Sequence, residues 1–188
     1  MGEDGKSHQM LEDVTIMRVI PGMQVIVPAD AVEAHQAVLA AADIPGPVYV
    51  RLSRASTPVV FSEDYRFEFG RAAMLREGGD LAIVAMGVTV AAALEAADTL
   101  STMGIEARVL NMSTISPVDS GALERAARDC GGIPTAEEHE ETGGLGEAVA
   151  QAVVLTHPVP MEMCGMNGSF GQSGTGDELL AHYGLDAE

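Results

Sequence analysis

A glycine-containing loop at the start of the chain holds two side chains that can take part in chemistry. Asp4 and His8 lie within residues 2–8, Gly-Glu-Asp-Gly-Lys-Ser-His, where the glycines permit a tight bend. A carboxylate accepts hydrogen bonds, and an imidazole titrates near neutral pH. Asp4 and His8 can therefore point into one pocket and bind a substrate hydroxyl. A contact that only stabilises the loop accounts for the same pair.

A third candidate, Arg54, follows the predicted strand Val48–Leu52. Ligands of open α/β sheets bind at the carboxyl ends of strands, and a guanidinium there can hold a phosphate through two parallel N–H groups. A solvated arginine paired with a nearby acid is the alternative. Arg51 is predicted to face elsewhere and to have a structural role.

The acidic run at residues 137–141, Glu-Glu-His-Glu-Glu, offers one histidine among carboxylates. Zinc needs three or four ligands at defined spacings, which this run does not supply, so we predict an acidic loop between a strand and a helix, with no metal. Residues 143–146, Gly-Gly-Leu-Gly, lack the Lys-Ser/Thr pair of a P-loop and follow acids that would repel phosphate. They are interpreted as a tight turn before a helix, and the glycines at 165, 168, 171 and 174 as a winding loop.

The elements that must position these residues alternate between strand and helix. A first unit has strands at 23–27 and 48–52 around a helix at 31–42. A second unit has predicted strands at 81–86, 106–110, 133–136 and 159–163, with helices at 88–103, 122–128, 145–155 and 179–183. This order predicts an α/β fold with a doubly wound, mostly parallel sheet. The first unit is too small to bury a core of its own, so residues 14–52 should expose apolar surface and favour self-association.

The charge balance limits the classes of partner. The chain has 28 acidic and 10 basic residues, a formal net charge of −18. Such a surface repels phosphate backbones and anionic lipids, so we expect no nucleic-acid or membrane role. No segment approaches the roughly 18 consecutive apolar residues of a membrane span. Cys130 and Cys164 are isolated, which favours a reducing, cytoplasmic location.

Several motifs taken together resemble one family, the transketolases. The match includes Gly-Glu-Asp-Gly-Lys-Ser-His-Gln at 2–9, Ile-Pro-Gly-Met at 20–23, Val-Pro-Ala-Asp at 27–30, Leu-Ser-Arg at 52–54, Gly-Arg-Ala at 70–72, Glu-Glu-His at 137–139 and Gly-Gly-Leu-Gly at 143–146. The pattern is similar to transketolases encoded as two separate subunits. Residues 1–57 resemble the end of the pyrimidine-binding domain, and residues 66–188 the C-terminal domain.

The resemblance implies transfer of a two-carbon ketol unit between sugar phosphates, with thiamine diphosphate and Mg²⁺ as cofactors. It implies that Asp4 contacts a substrate hydroxyl, that His8 lies beside the acceptor and that Arg54 binds the substrate phosphate. In this family a glutamate upstream of the Asp4 loop activates the cofactor, and the diphosphate binds another domain. The catalytic set is therefore incomplete here. We expect this chain to be inactive alone and to need an N-terminal subunit or domain in a homo- or hetero-oligomer, such as a dimer.

Two other hypotheses remain open. The chain can be a non-catalytic module for dimerisation or docking, with the first unit packed on a partner. It can also belong to a related thiamine enzyme, such as deoxyxylulose-phosphate synthase or the beta subunit of a 2-oxoacid dehydrogenase. The loop at residues 2–9 argues against the related enzymes. Lys6 stands where many transketolases have proline, and nothing in the sequence explains that difference.

Overall fold

A computed structural model describes residues 3–188 and has the predicted order of alternating strands and helices. The chain begins with a 3-10 turn at Lys6–His8. The helices are α1 Asp13–Arg18, α2 Ala31–Ala41, α3 Thr89–Thr102, α4 Ser120–Asp129, α5 Leu145–Thr156 and α6 Gly176–His182. The strands are β1 Gln24–Ile26, β2 Val48–Val50, β3 Ala73–Arg76, β4 Leu81–Ala85, β5 Ala107–Asn111, β6 Thr114–Ser116, β7 Ile133–Glu140 and β8 Met161–Met166.

The larger sheet has five strands in the order β3-β5-β4-β7-β8 and is parallel except for β3, which runs antiparallel to β5. Side chains of the central strand β4 alternate between two cores. Ala82 and Val84 lie in the core with α4 and α5, whereas Ile83 and Ala85 lie in the core with α3. This alternation confirms the doubly wound, mostly parallel sheet, since each face of the sheet is covered by helices.

A smaller sheet joins the first unit to the second. In it β1 pairs in parallel with β2 and antiparallel with β6 from the second unit. The side chains of Val14, Val25 and Val27 are buried in the same core as α4 and α5. The first unit therefore buries its apolar residues against the second. The sequence reasoning missed both β3 and β6.

Apolar side chains within residues 14–52 are nevertheless exposed, as predicted. Six large ones are at least 40% exposed: Ile16, Val19, Ile20, Val38, Leu39 and Leu52. They include residues of α1 and α2 and of the turns that follow α1 and β2. This surface is a candidate contact for another chain. Within residues 3–188 no helix is long and apolar enough to span a membrane.

Asp30 ties the connection between the units to the start of α2. One carboxylate oxygen accepts the N–H of Glu33, 2.8 Å away, and caps the helix. The other accepts the N–H groups of Val60 and Phe61, at 2.8 and 2.9 Å. An N-cap carboxylate with a second oxygen free for other donors can hold both segments. The connection is thereby fixed against α2.

Glu33 links the same helix to the large sheet. Its fully buried carboxylate accepts hydrogen bonds from the Ala29 N–H at 2.8 Å, the Tyr65 hydroxyl at 2.9 Å and the Asn111 amide at 2.9 Å. Burial raises the pKa of Glu33, and these donors oppose the rise. A buried carboxylate is stable here because donors from three segments surround it.

Glu137 caps α5 from the neighbouring strand. The sequence prediction placed residues 137–141 in an acidic loop, and this was wrong for 137–140, because they continue β7. The buried Glu137 carboxylate accepts the N–H of Leu145 at 2.6 Å and that of Gly146 at 2.8 Å. A side chain on Gly144 would collide with this carboxylate, which explains the glycine. The N–H groups at the helix N-terminus are thus satisfied by a carboxyl group of the chain itself.

Replacing Glu33 tests the link between α2 and the large sheet. In Glu33→Gln an amide donor faces donors of Ala29, Tyr65 and Asn111, so we expect a loss of about 1–3 kcal/mol in the free energy of unfolding. Urea unfolding followed by circular dichroism measures this loss. Glu95→Gln on the exposed side of α3 is the matched control, expected to stay within about 0.5 kcal/mol of wild type. Equal urea midpoints for Glu33→Gln and Glu95→Gln would contradict the role of Glu33.

A pH profile tests the burial of Glu137. Burial raises the pKa of Glu137 from 4.5 to about 7, while the N–H groups of Gly146 and Leu145 oppose that rise. The folded state then binds more protons than the unfolded state between these values, so the contribution of Glu137 to stability falls as pH rises through that window. We expect the free energy of unfolding of wild type relative to Glu137→Gln to fall by about 3 kcal/mol between pH 4.5 and pH 7. A difference that is constant with pH would exclude this account.

Candidate functional site

A cleft of about 260 Å³ lies at the carboxyl end of β2 and brings the three predicted residues together. Asp4 and His8 line it from the N-terminal loop, and Arg54 lines it from the segment after β2. Glu138, from β7 of the second unit, also lines this cleft. The site therefore forms where the two units meet, at the strand end where the sequence predicts a ligand.

Asp4 and Arg54 form an ion pair across the mouth of the cleft. The Arg54 guanidinium donates a hydrogen bond to the Asp4 carboxylate and holds the pKa of that carboxyl below its ordinary range. The Arg54 side chain is 76% exposed. An exposed pair of this kind is weakly held, since water competes for both charges. The guanidinium is therefore accessible to an anion that enters from solvent.

His8 lies at the end of the 3-10 turn and is exposed to solvent. The turn is closed by a 3.0 Å hydrogen bond from the His8 N–H to the carbonyl of Gly5, which has a positive φ of 73°. The Ser7 hydroxyl lies 3.0 Å from Nδ1 of His8. A non-glycine residue at position 5 would strain this turn, so the glycine fixes how the imidazole is presented.

Arg51 lines the same cleft as Arg54, and the prediction that it faces elsewhere was wrong. Strand β2 ends at Val50, so the alternation that would separate positions 51 and 54 stops before either residue. Arg51 donates through Nε to Asp13 at 3.0 Å and through Nη1 to Glu138 at 3.3 Å. Its side chain is 15% exposed. These pairs agree with the structural role predicted for Arg51.

Asp13 accepts hydrogen bonds from two side chains in the cleft. With Arg51 and Glu138 it forms the buried inner side of the cleft, here called the floor. One of its oxygens accepts the Tyr49 hydroxyl at 2.7 Å as well as Nε of Arg51. Burial raises the pKa of Tyr49 to about 12, and the hydrogen bond to Asp13 adds to the rise. The other oxygen lies 3.7 Å from Nε2 of His139. Tyr49 therefore stays protonated and acts as a donor at neutral pH.

His139 is buried and neutral beneath this floor. Its Nε2 accepts the N–H of Val14 at 3.1 Å, so Nδ1 carries the proton and donates to the carbonyl of Glu140 at 2.7 Å. Burial lowers the pKa of His139. Within residues 3–188 no three His, Cys, Asp or Glu side chains form a group able to hold a metal ion.

Sequence reasoning missed Asp13, Tyr49 and Glu138 as residues of the cleft. Arg51 and Glu138 are 87 positions apart in the chain, and only the packing of the two units against each other brings them together. The signal for Asp13 and Tyr49 was weak, because one lies on a six-residue helix and the other on a three-residue strand.

Two family models match the chain. The transketolase pyrimidine-binding domain matches residues 1–59, and the transketolase C-terminal domain matches residues 70–188. The two models flank residues 60–69, and Asp30 holds the start of that connection, Val60 and Phe61, against α2.

Curated relatives match along the whole chain. An apulose-4-phosphate transketolase subunit of Phocaeicola vulgatus is 42% identical over 188 residues, and the match covers 100% of this chain and 60% of the relative. The "Putative transketolase C-terminal section" of Methanocaldococcus jannaschii is 42% identical, with the same two coverages. The "6-deoxy-6-sulfo-D-fructose transketolase subunit SqwH" of Clostridium sp. is 42% identical, covering 98% of this chain and 58% of the relative. This chain thus spans about three fifths of the length of these relatives.

Solved structures give the same result. A "Split gene transketolase, inactive beta4 tetramer" superposes with a TM-score of 0.94 at 50% identity, covering 97% of this chain and 60% of that one. The transketolase of Campylobacter jejuni superposes with a TM-score of 0.77 at 24% identity, covering 99% of this chain and 28% of that one, and it supports the fold alone. On the family models and these relatives together, the chain belongs to the transketolase family.

Proposed function

We propose that this chain is the C-terminal part of a transketolase, which transfers a two-carbon ketol unit from a ketose phosphate to an aldose phosphate. The observation that supports this most directly is the meeting of Asp4, His8 and Arg54 in one cleft. A carboxylate that accepts hydrogen bonds and an imidazole can bind the hydroxyls of a sugar, and a guanidinium can bind its phosphate. Relatives named as transketolase subunits match over the whole chain.

Substrate binding exchanges one anion for another at Arg54. The guanidinium binds the sugar phosphate in place of the Asp4 carboxylate, because a phosphate brings more charge and an exposed ion pair is easily broken. The released Asp4 carboxylate then accepts a hydrogen bond from a substrate hydroxyl. His8 lies beside the aldose phosphate that accepts the ketol unit. The floor formed by Arg51, Asp13 and Glu138 stays paired during this exchange.

Thiamine diphosphate and its divalent metal belong mainly to another part of the assembly. Within residues 3–188 no three His, Cys, Asp or Glu side chains form a group that could hold a metal ion, so the described part of the chain does not supply such a ligand set by itself. The glutamate that activates the cofactor is supplied by that other part as well. The role of this chain is to bind and orient the sugar phosphate.

The partner in this proposal is an N-terminal transketolase subunit or domain, within a cytoplasmic homo- or hetero-oligomer. One relative is named as a transketolase subunit and another as a C-terminal section, and both names support a divided enzyme. The "inactive beta4 tetramer" supports a chain that assembles with its own copies and lacks activity without its partner.

A non-catalytic docking module is the second candidate. The exposed apolar side chains of α1 and α2, such as Ile16 and Leu39, favour it, since they offer a surface for another chain. A docking module differs from a transketolase part in one respect, because its cleft residues would take part in no reaction.

Ketol transfer from xylulose 5-phosphate to ribose 5-phosphate distinguishes the two candidates. We expect the chain alone to be inactive and to become active with an N-terminal transketolase subunit, thiamine diphosphate and Mg²⁺. Activity of the chain alone would show that it supplies the activating group itself. Stable association with that partner without any activity would favour the docking module.

The phosphate role of Arg54 is tested in the mixed enzyme. Arg54→Gln removes a charged donor, so we expect the KM for the sugar phosphate to rise about tenfold to a hundredfold, with a smaller change in kcat. Arg125→Gln, at an exposed position of α4, is the matched control and should leave both constants unchanged. An unchanged KM for Arg54→Gln would refute the assignment.

A further inference from the structure

The winding loop between β8 and α6 lies against the loop that presents Asp4 and His8. The segment at residues 168–173, here called the strap, has the sequence Gly-Ser-Phe-Gly-Gln-Ser. Nζ of Lys6 lies 4.8 Å from the ring centre of Phe170, and Nε2 of Gln9 donates to the carbonyl of Gln172 at 3.3 Å. The strap therefore contacts the loop on both sides of His8.

Two glycines allow this close approach. A Cβ on Gly5 would lie 2.4 Å from Oγ of Ser173, and a Cβ on Gly171 would lie 2.2 Å from Oε1 of Gln9. Neither distance is compatible with a side chain in the present arrangement. Gly171 of the strap and Gly5 of the loop thus serve one contact.

The strap is held in place from the second unit. The hydroxyl of Tyr183, just after α6, accepts the N–H of Gln172 at 3.1 Å and donates to the carbonyl of Phe170 at 3.4 Å. The Gly168 N–H donates to the Glu140 carboxylate at 3.0 Å, and the Glu140 N–H donates to the carbonyl of Leu11 at 2.8 Å. The strap thus contacts the loop of Asp4 and His8 on one side, and the end of β7 holds both the strap and Leu11, just after that loop.

We propose that the strap and Tyr183 position the loop of Asp4 and His8, so that the C-terminal unit sets the affinity of the assembled enzyme for its sugar phosphate. This inference rests on the proposed function for its kinetic consequence. The strap touches the loop and not the cleft itself, so its residues are positioning residues. Phe170, which is 75% exposed, is kept at the surface by its contact with Lys6 and not by burial in a core.

The first test measures hydrogen–deuterium exchange in the full chain alone. Tyr183→Phe removes the hydroxyl that holds the strap. We expect the amides of residues 168–173 and of residues 5–9 to exchange about fivefold faster, with β4 and β5 unchanged. Phe170→Ala should have the same effect on residues 5–9, whereas Phe170→Tyr keeps the ring under Lys6 and should behave as wild type. Leu155→Ala, 78% exposed at the end of α5, is the matched control.

The second test uses the same variants in the mixed enzyme. We expect Tyr183→Phe and Phe170→Ala to raise the KM for the sugar phosphate about threefold to tenfold while kcat stays within about twofold. Faster exchange in the strap with unchanged exchange at residues 5–9 would overturn the positioning role. Faster exchange in both segments with an unchanged KM would overturn the link to affinity. An inactive wild-type mixture would refute the proposed function, and the exchange result would still decide whether the strap holds the loop.

Discussion

The pairing of β1 with β6 is the contact on which the rest of the structure depends. Two three-residue strands and two short helices cannot bury a core, so the first unit is stable only when the second supplies a strand and an apolar surface. Val25 and Val27 enter the core of α4 and α5 as a result. The same packing brings the end of β2 beside β7. The cleft is lined by residues of both units, and it forms because the two units share one core.

Glycine and carboxylate positions set the geometry around that cleft. Gly5 and Gly171 permit the N-terminal loop and the strap to approach more closely than side chains allow. Asp13 and Glu138 neutralise Arg51 at the floor, and this leaves Arg54 at the mouth as the guanidinium that can exchange its partner. This difference has a physical basis, because a largely buried ion pair with several hydrogen bonds resists exchange, whereas an exposed pair does not.

The sequence predicted the long elements and the position of Arg54 after a strand, because hydrophobic periodicity and strand ends are local signals. Only the resemblance to transketolases grouped Arg54 with Asp4 and His8. It did not predict β3 and β6, which have four and three residues and pair antiparallel with distant strands. β6 holds one apolar residue, Ile115, so it lacks the apolar run that marked the equally short β1 and β2. The position of Arg51 was mistaken for a related reason, since the strand that defined its face ends one residue earlier.

The acidic composition was interpreted as a solvated surface, and part of it lies inside. Within residues 3–188, six of the 28 acidic residues are buried: Asp13, Asp30, Glu33, Asp119, Glu137 and Glu138. Four of these cap helices or hold backbone N–H groups at a unit boundary, as Asp119 does at the start of α4. A short carboxylate can satisfy donors from two segments at once, which an apolar side chain cannot do. Buried acids such as Glu33, which accepts from Asn111, and Glu138, which accepts from Arg51, therefore fix the two units relative to each other. Of the two arginines that line the cleft, the exposed Arg54 is the one available to a substrate.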